Sequence, residues 1–374
     1  MTTWQQNASA SRETDQRFAA YRFLGSHREI GQQYGETCRD LIHRHFELAV
    51  NRLRERSGVN IEDALDRAMH YRPFVQDYAS FLDEEIQGVA EGAGLSLPQA
   101  YLLQLRAEAA RPVEDEQECT TFAVLANATA DGVPMIGQNA DLPAFYRDIS
   151  VIAEIRPDTC RETGVSHPAV LMLLPAGQVS YIGINDRGMG IFANYLSCDG
   201  WQYGFPRYLF SRLVLTEETV DNGIERIRSV KRASSRNLIM LDAHGTAADL
   251  ETTPTRDARI DPEDGLLAHS NHYVAEALAE EERSTGGHIS NSRIRLERMH
   301  ELLREQRGRL TVETMQTIMR DRACHPDNLS RWLGDEDGDM VTFASVIAEP
   351  SEGRMWIAVG PPHENDYHCY ALAA

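Results

Sequence analysis

A cysteine followed by two threonines and a phenylalanine, Cys119-Thr120-Thr121-Phe122, opens an alternating apolar stretch that ends in Gly137-Gln138-Asn139-Ala140-Asp141. A solitary cysteine is by default a small buried hydrophobe. It becomes a nucleophile when a base stands beside it. Cutting the bond before Cys119 would put a thiol and a free α-amine on one residue. That amine, with an ordinary pKa of about 7.7–8.0, accepts the thiol proton near neutrality, so no histidine is required. Acyl transfer through such a thiol also needs preorganised donors for a tetrahedral anion.

Several residues have the right chemistry for those supporting roles. "LLAHSNHYV" places Asn271 between Ser270 and His272, "GINDRGMGIFANYL" offers Asn185 and Asn194, and "GHISNSRIRLERM" offers Ser292 and Arg293. An ionised Asp141 is a natural acceptor for the amine. Each has a plainer reading: Asp141 as a turn residue before Pro143, Asn271 as a turn cap, Asn185 and Asn194 as turn or strand-edge residues. Arg293 and Arg295 open an arginine-rich amphipathic helix, where surface salt bridging competes with any catalytic role. His269, His272 and His325 read as structural, since the amine already supplies a base.

The composition of the whole chain is that of a globular protein. Its 374 residues are 42% hydrophobic and 25% charged, enough to bury a large core. A net charge of −20 argues against nucleic-acid and anionic-membrane partners, which reward clustered Lys and Arg. No apolar run is long enough to span a bilayer, and the polar N-terminus has no apolar h-region, so the expected location is cytoplasmic. The six cysteines contain no CxxC pair, and Cys324-His325 and His368-Cys369 are adjacent rather than ligand-spaced, so neither metal nor cofactor is expected.

The elements that must position these residues fall into two blocks. Residues 1–118 read as helical: one helix from "GSHREIGQQYGE" onward, with a Ser26/Glu29 capping box, and one through "SFLDEEIQGVAEGAG", ended by Gly92 and Gly94. A third begins at Ser96, with Pro98 in its first turn. From Cys119 the period changes to strands: "TTFAVLANA", "VPMIGQNA", "ISVIAEIRP", "AVLMLLPAG", "VSYIGIND" and "MGIFANYL". Helical segments follow near 206–231, then the strands "RNLIMLDAHG" and "AADLETT", helices near 291–305 and 311–321, and two last strands, "MVTFASVIAEP" and "RMWIAVGPP". The fold class is α+β with layered sheets.

Taken in order, Cys-Thr-Thr-Phe, Gly-Gln-Asn-Ala-Asp, Ser-Asn-His and Asn291-Ser292-Arg293 resemble the acyl-coenzyme A:6-aminopenicillanic acid acyltransferase family, the C45-type self-processing N-terminal-nucleophile hydrolases. "GSHREIGQQYGE", "EEIQGVAEGAGLS" and "VIAEPSEGRMWIAVGPP" extend the resemblance over most of the chain. It implies an αββα sandwich of two antiparallel sheets between helical layers. It also implies cleavage between Glu118 and Cys119, with residues 1–118 retained as an α chain beside a catalytic β chain, 119–374, in one integrated domain. On this resemblance Cys119 is the nucleophile and Asp141 contacts its amine. Asn271 belongs to the oxyanion hole, Arg293 lies near the active site with Ser292 beside it, and Thr121 serves processing. The best-known members carry glycine where this chain has Glu118. Glycine tolerates the distorted backbone that favours attack on the preceding carbonyl, so the difference bears on the rate of self-cleavage. The acidic lead-in, Glu114 to Glu118, reads as the releasable end of a propeptide.

The expected function is therefore a cysteine amidohydrolase that cleaves a small amide or thioester through an acyl-Cys119 thioester. The alternatives are an acyl-coenzyme A-dependent N-acyltransferase, with Arg293, Arg295 and Arg298 meeting the donor's phosphates, and an unprocessed ligand-binding or structural protein. A homo-oligomer is compatible with either enzyme.

Overall fold

A computed structural model describes residues 16–110, 118–160, 164–335 and 339–373. The polar N-terminus and the acidic lead-in through residue 117 lie outside the described residues. Ser26 caps the first helix, His27–Thr37, with the reciprocal Glu29 contact that the sequence suggests. The chain then breaks at Cys38, so the long helix is in fact two, the second being Arg39–Ser57. Helix Arg72–Ala93 ends at Gly94 in the left-handed region (φ 73°). Gly92 does not end it. It lies inside the helix, where an added Cβ would come within 2.2 Å of the Gln32 carbonyl. Gly31, Gly35, Gly88 and Gly92 thus let His27–Thr37 and Arg72–Ala93 touch backbone to backbone.

Among the described residues the strands form two sheets. The larger runs β1 (Ala20–Gly25), β4 (Ser150–Pro157), β5 (Val170–Pro175), β6 (Ile182–Asn185), β7 (Gly190–Asn194), β8 (Arg236–Leu241), β9 (Ala247–Thr252) and β10 (Asp257–Ile260). It is antiparallel except for the parallel β1–β4 edge. The smaller is antiparallel throughout: β11 (Leu266–His269), β2 (Glu118–Val124), β3 (Met135–Pro143), β12 (Met340–Glu349), β13 (Arg354–Val359) and β14 (Tyr367–Ala371). β1, β10, β11 and β14 were not anticipated from the sequence. All four are short edge strands whose pairing partner, rather than their own pattern, defines them.

The sheets pack face to face, β2 and β3 against β7 and β8. The N-terminal helices cover β1 and β4 of the larger sheet; Gly286–Gln306 covers β2 and β11, and Val312–Met319 covers β12. The result is helix, sheet, sheet, helix, in the α+β class. Strand alternation assigns the faces of β2. Phe122 and Val124 join Leu296, Met299 and Leu303 under the Gly286–Gln306 helix. Ala123 belongs to the core shared with the larger sheet. Cys119 and Thr121 therefore face the sheet–sheet interface, and Thr120 faces the helix.

Candidate active site

Cys119 is the second residue of β2 and is 3% exposed. Its backbone is held on both sides. The N–H donates to Asn271 Oδ1 at 2.7 Å, while the carbonyl accepts from Arg295 Nη1 at 2.7 Å and Asn194 Nδ2 at 3.1 Å. The same Arg295 Nη1 donates to Thr120 Oγ1 at 2.8 Å, and Nη2 donates to Asn271 Oδ1 at 3.0 Å. One guanidinium thus braces both the carbonyl of the cysteine and the acceptor of its nitrogen. Asn271 spends its own amide on the Tyr195 carbonyl at 3.0 Å. Its Oδ1 is thus the acceptor for the Cys119 N–H, and one of its two amide N–H donors is spent on Tyr195.

Burial pushes the Cys119 thiol up to about 11, and the charge of Asp141 adds to the effect. The Asp141 backbone N–H and the Gln138 side chain oppose it by favouring the thiolate. Gln138 Oε1 accepts from the Ala193 N–H at 3.1 Å, whereas Gln138 Nε2 has no hydrogen bond of ordinary length. That amide is an unspent donor beside the sulfur. Asp141 pairs with Glu118 across the β2–β3 ladder and is fully buried. Burial pushes its carboxyl up to about 7, against the pull of Arg295 and a 2.6 Å hydrogen bond from Thr342 Oγ1. Thr342 sits where the β3–β12 register slips, a bulge that aims its hydroxyl inward. Asp141 does not bond the Cys119 nitrogen in the uncut chain; Asn271 does.

The Gly286–Gln306 helix turns Asn291, Ser292, Arg295, Leu296, Met299 and Leu303 inward, a helical-period stripe. Ser292 is a hub: its hydroxyl accepts from the Asn271 N–H at 2.7 Å and contacts His272 Nδ1 at 2.7 Å and Ser270 Oγ at 2.8 Å. Arg295 Nε donates to Asn291 Oδ1 one turn back at 2.8 Å. Arg293 falls between these positions and is exposed. The structure thus brings Cys119, Thr121, Asn271 and Ser292 together with Arg295, and leaves Arg293 on the outer face.

Thr121 donates to Asn194 Oδ1 at 2.8 Å, and Asn237 Nδ2 donates to the same oxygen at 3.0 Å. Asn185, by contrast, is a turn residue that binds the Leu215 and Glu217 carbonyls. No histidine ring is hydrogen-bonded to Cys119 among the described residues. His269 lies 2.7 Å from Glu251; although burial disfavours its charge, Asp249 and Glu251 push it up to about 9.

Comparison with known proteins adds the family. Residues 129–364, well over half of the chain, match the acyl-coenzyme A:6-aminopenicillanic acid acyl-transferase family. The chain belongs to it. The matched stretch begins after Cys119 and takes in Asp141, Asn271, Ser292 and Arg295. Solved structures also align: a variant of the conjugated bile acid hydrolase from Clostridium perfringens, at 13% identity over 68% of this chain and 97% of that one, has a TM-score of 0.48. The penicillin V acylase from Agrobacterium tumefaciens aligns at 11% identity over 64% of this chain and 83% of that one, with a TM-score of 0.44.

Gln138, Thr120, Thr342 and the inward role of Arg295 were not singled out from the sequence. Period-two alternation from Cys119 marks Thr120 as helix-facing, and helical spacing from Ser292 marks Arg295 rather than Arg293 as its inward neighbour. Thr342 carries no such signal, because its aim depends on a bulge.

Proposed function

We propose that this chain cleaves its own Glu118–Cys119 bond and then uses Cys119 as an N-terminal nucleophile to hydrolyse a linear amide. The observation that carries the reading is the clamp on Cys119. Asn271 Oδ1, 2.7 Å from its nitrogen, already stands where a freed α-amine would need an acceptor. Before cleavage burial favours the protonated thiol, so turnover on a substrate requires a base. Cleavage supplies one.

In the first step Cys119 Sγ attacks the Glu118 carbonyl, the thiol proton passes to the Cys119 nitrogen, and the C–N bond breaks to give a thioester and the free amine. Water hydrolyses that thioester to the Glu118 carboxylate and the thiol. In turnover the amine takes the thiol proton, and the thiolate attacks the substrate carbonyl. The departing amine leaves with that proton, and water resolves the acyl-Cys119 thioester. Gln138 Nε2 and the Asp141 N–H, both beside the sulfur, support the anion that forms there. Arg295 and Asn194 hold the nucleophile's backbone and act by positioning. Transfer of the acyl group to an amine rather than water would use the same thioester.

Intact-mass measurement of the purified protein tests the first step. Two fragments meeting at Glu118/Cys119 are expected, with loss of cleavage and of amidase activity in Cys119→Ala. A single 42.0 kDa species after prolonged incubation would sink the proposal.

A further inference from the structure

Arg236 opens β8 and is 1% exposed, one of the largest fully buried side chains in the molecule. Its Nε and Nη1 make no hydrogen bond, and no carboxylate among the described residues is paired with it. Its guanidinium lies over the Tyr208 ring, 4.7 Å from the centroid. The guanidinium of Arg207 lies 5.4 Å from the same ring and 4.8 Å from that of Tyr195. Tyr195 is the residue whose carbonyl holds Asn271 beside Cys119. Tyr181, 6.3 Å from Tyr208, and Arg236 both lie within electrostatic reach of Cys119.

A buried guanidinium without an anion is strongly penalised by lost hydration. Here burial and the neighbouring Arg207 both press against the charge of Arg236. Its planar fork of donors and its aromatic floor are what a carboxylate site offers.

We propose that Arg236, floored by Tyr208, binds a carboxylate carried by the substrate, so that the amides cleaved at Cys119 are anionic ones. The inference rests on Cys119 being the nucleophile proposed above, and the test separates the two. Matched amides differing only in charge are compared: glutaryl against pentanoyl 4-nitroanilide, and pentanoylglycine against pentanoylglycinamide. In a second measurement, glutarate or glutaramide is used to shield Cys119 from iodoacetamide.

The wild-type protein is expected to favour the charged member of at least one pair by about tenfold or more in kcat/KM. Arg236→Gln should bring that ratio towards one. Arg236→Lys, which keeps the charge but not the fork, should fall between them. Wild-type protein that hydrolyses the uncharged amides with no preference in either pair overturns the carboxylate site and leaves the amidase standing. Wild-type protein that hydrolyses none of the four, yet whose thiol is shielded by glutarate and not glutaramide, keeps the site and overturns the amidase. Shielding that survives in Arg236→Gln overturns the site as well.

Discussion

At the scale of single residues, the clamp on Cys119 depends on geometry more than on charge. Arg295 makes contacts through Nε, Nη1 and Nη2 in three directions. A lysine keeps the charge but not the fork. Losing a charge-assisted hydrogen bond costs about 1.5–3 kcal/mol, which corresponds to roughly tenfold or more in rate if the contact persists in the transition state. Arg295→Lys should therefore slow cleavage at residue 118 by at least about tenfold, while Arg293→Ala leaves it within roughly twofold. Timed gel electrophoresis of freshly refolded protein would show it, and equal rates would remove Arg295 from the clamp.

Asp141 gives a second prediction at this scale. Its folded pKa, about 7, lies above its ordinary value because the charged form is buried. Between about pH 4 and 7 the folded chain therefore holds a proton that the unfolded chain has released, and stability falls as pH rises through that window. Above it the full penalty applies, on the order of 4 kcal/mol for a shift of this size. In a Cys119→Ala background, which cannot cleave, Asp141→Asn should stabilise the protein more at pH 8 than at pH 5. Urea unfolding at the two pH values measures this. An identical effect at both would mean that Asp141 is not held neutral by burial.

At the scale of elements, one face of the Gly286–Gln306 helix holds the segment that contains Asn271. Ser292→Ala removes the acceptor of the buried Asn271 N–H and the shared partner of Ser270 and His272. Leaving such groups unsatisfied costs about 1–3 kcal/mol, and a misplaced Asn271 should slow cleavage as well. If Ser292→Ala lowered stability without touching the cleavage rate, Ser292 would hold the segment without aiming Asn271.

These elements also mark what could be read from the sequence. Caps and periods are local, so the Ser26 box, the strand at Cys119 and the Gly286–Gln306 helix were all legible, and with them Cys119, Asn271 and Ser292. What depended on a tertiary partner was not: the β1 edge exists through β4, Thr342 acts through a bulge, and Gly92 is a close-contact residue only because Gln32 lies opposite. Family likeness drew attention to Arg293, whereas helical spacing turns Arg295 inward.

At the scale of the whole molecule, cleavage before Cys119 would cut a chain whose two parts are built into one another. β1 pairs with β4, and Tyr370 donates to the Phe18 carbonyl at 3.1 Å. Glu108 accepts from the Arg207 N–H and the Ser234 hydroxyl, each at 3.0 Å. Arg212 forks onto Glu85 at 2.6 and 2.8 Å, both side chains nearly sealed from solvent. Breaking one side of a buried ion pair costs several kcal/mol, because it strands the other charge. Residues 16–110 are thus part of the folded unit, and the fragments should co-elute in native buffer and separate only in denaturant. The glycine contact between His27–Thr37 and Arg72–Ala93 allows that cohesion to be weakened from a distance. A Cβ at Gly31 would stand 2.1 Å from the Glu85 carbonyl, so Gly31→Ala must push the helices apart, at roughly 1–3 kcal/mol or more. Because Glu85 sits at that contact, the shift also pulls on Arg212. Cleaved Gly31→Ala protein should release the N-terminal fragment at lower urea than wild type, as followed by size exclusion. Should the 119–374 fragment remain folded by itself when the other is washed away, the N-terminal block would be a detachable propeptide instead of half of the core.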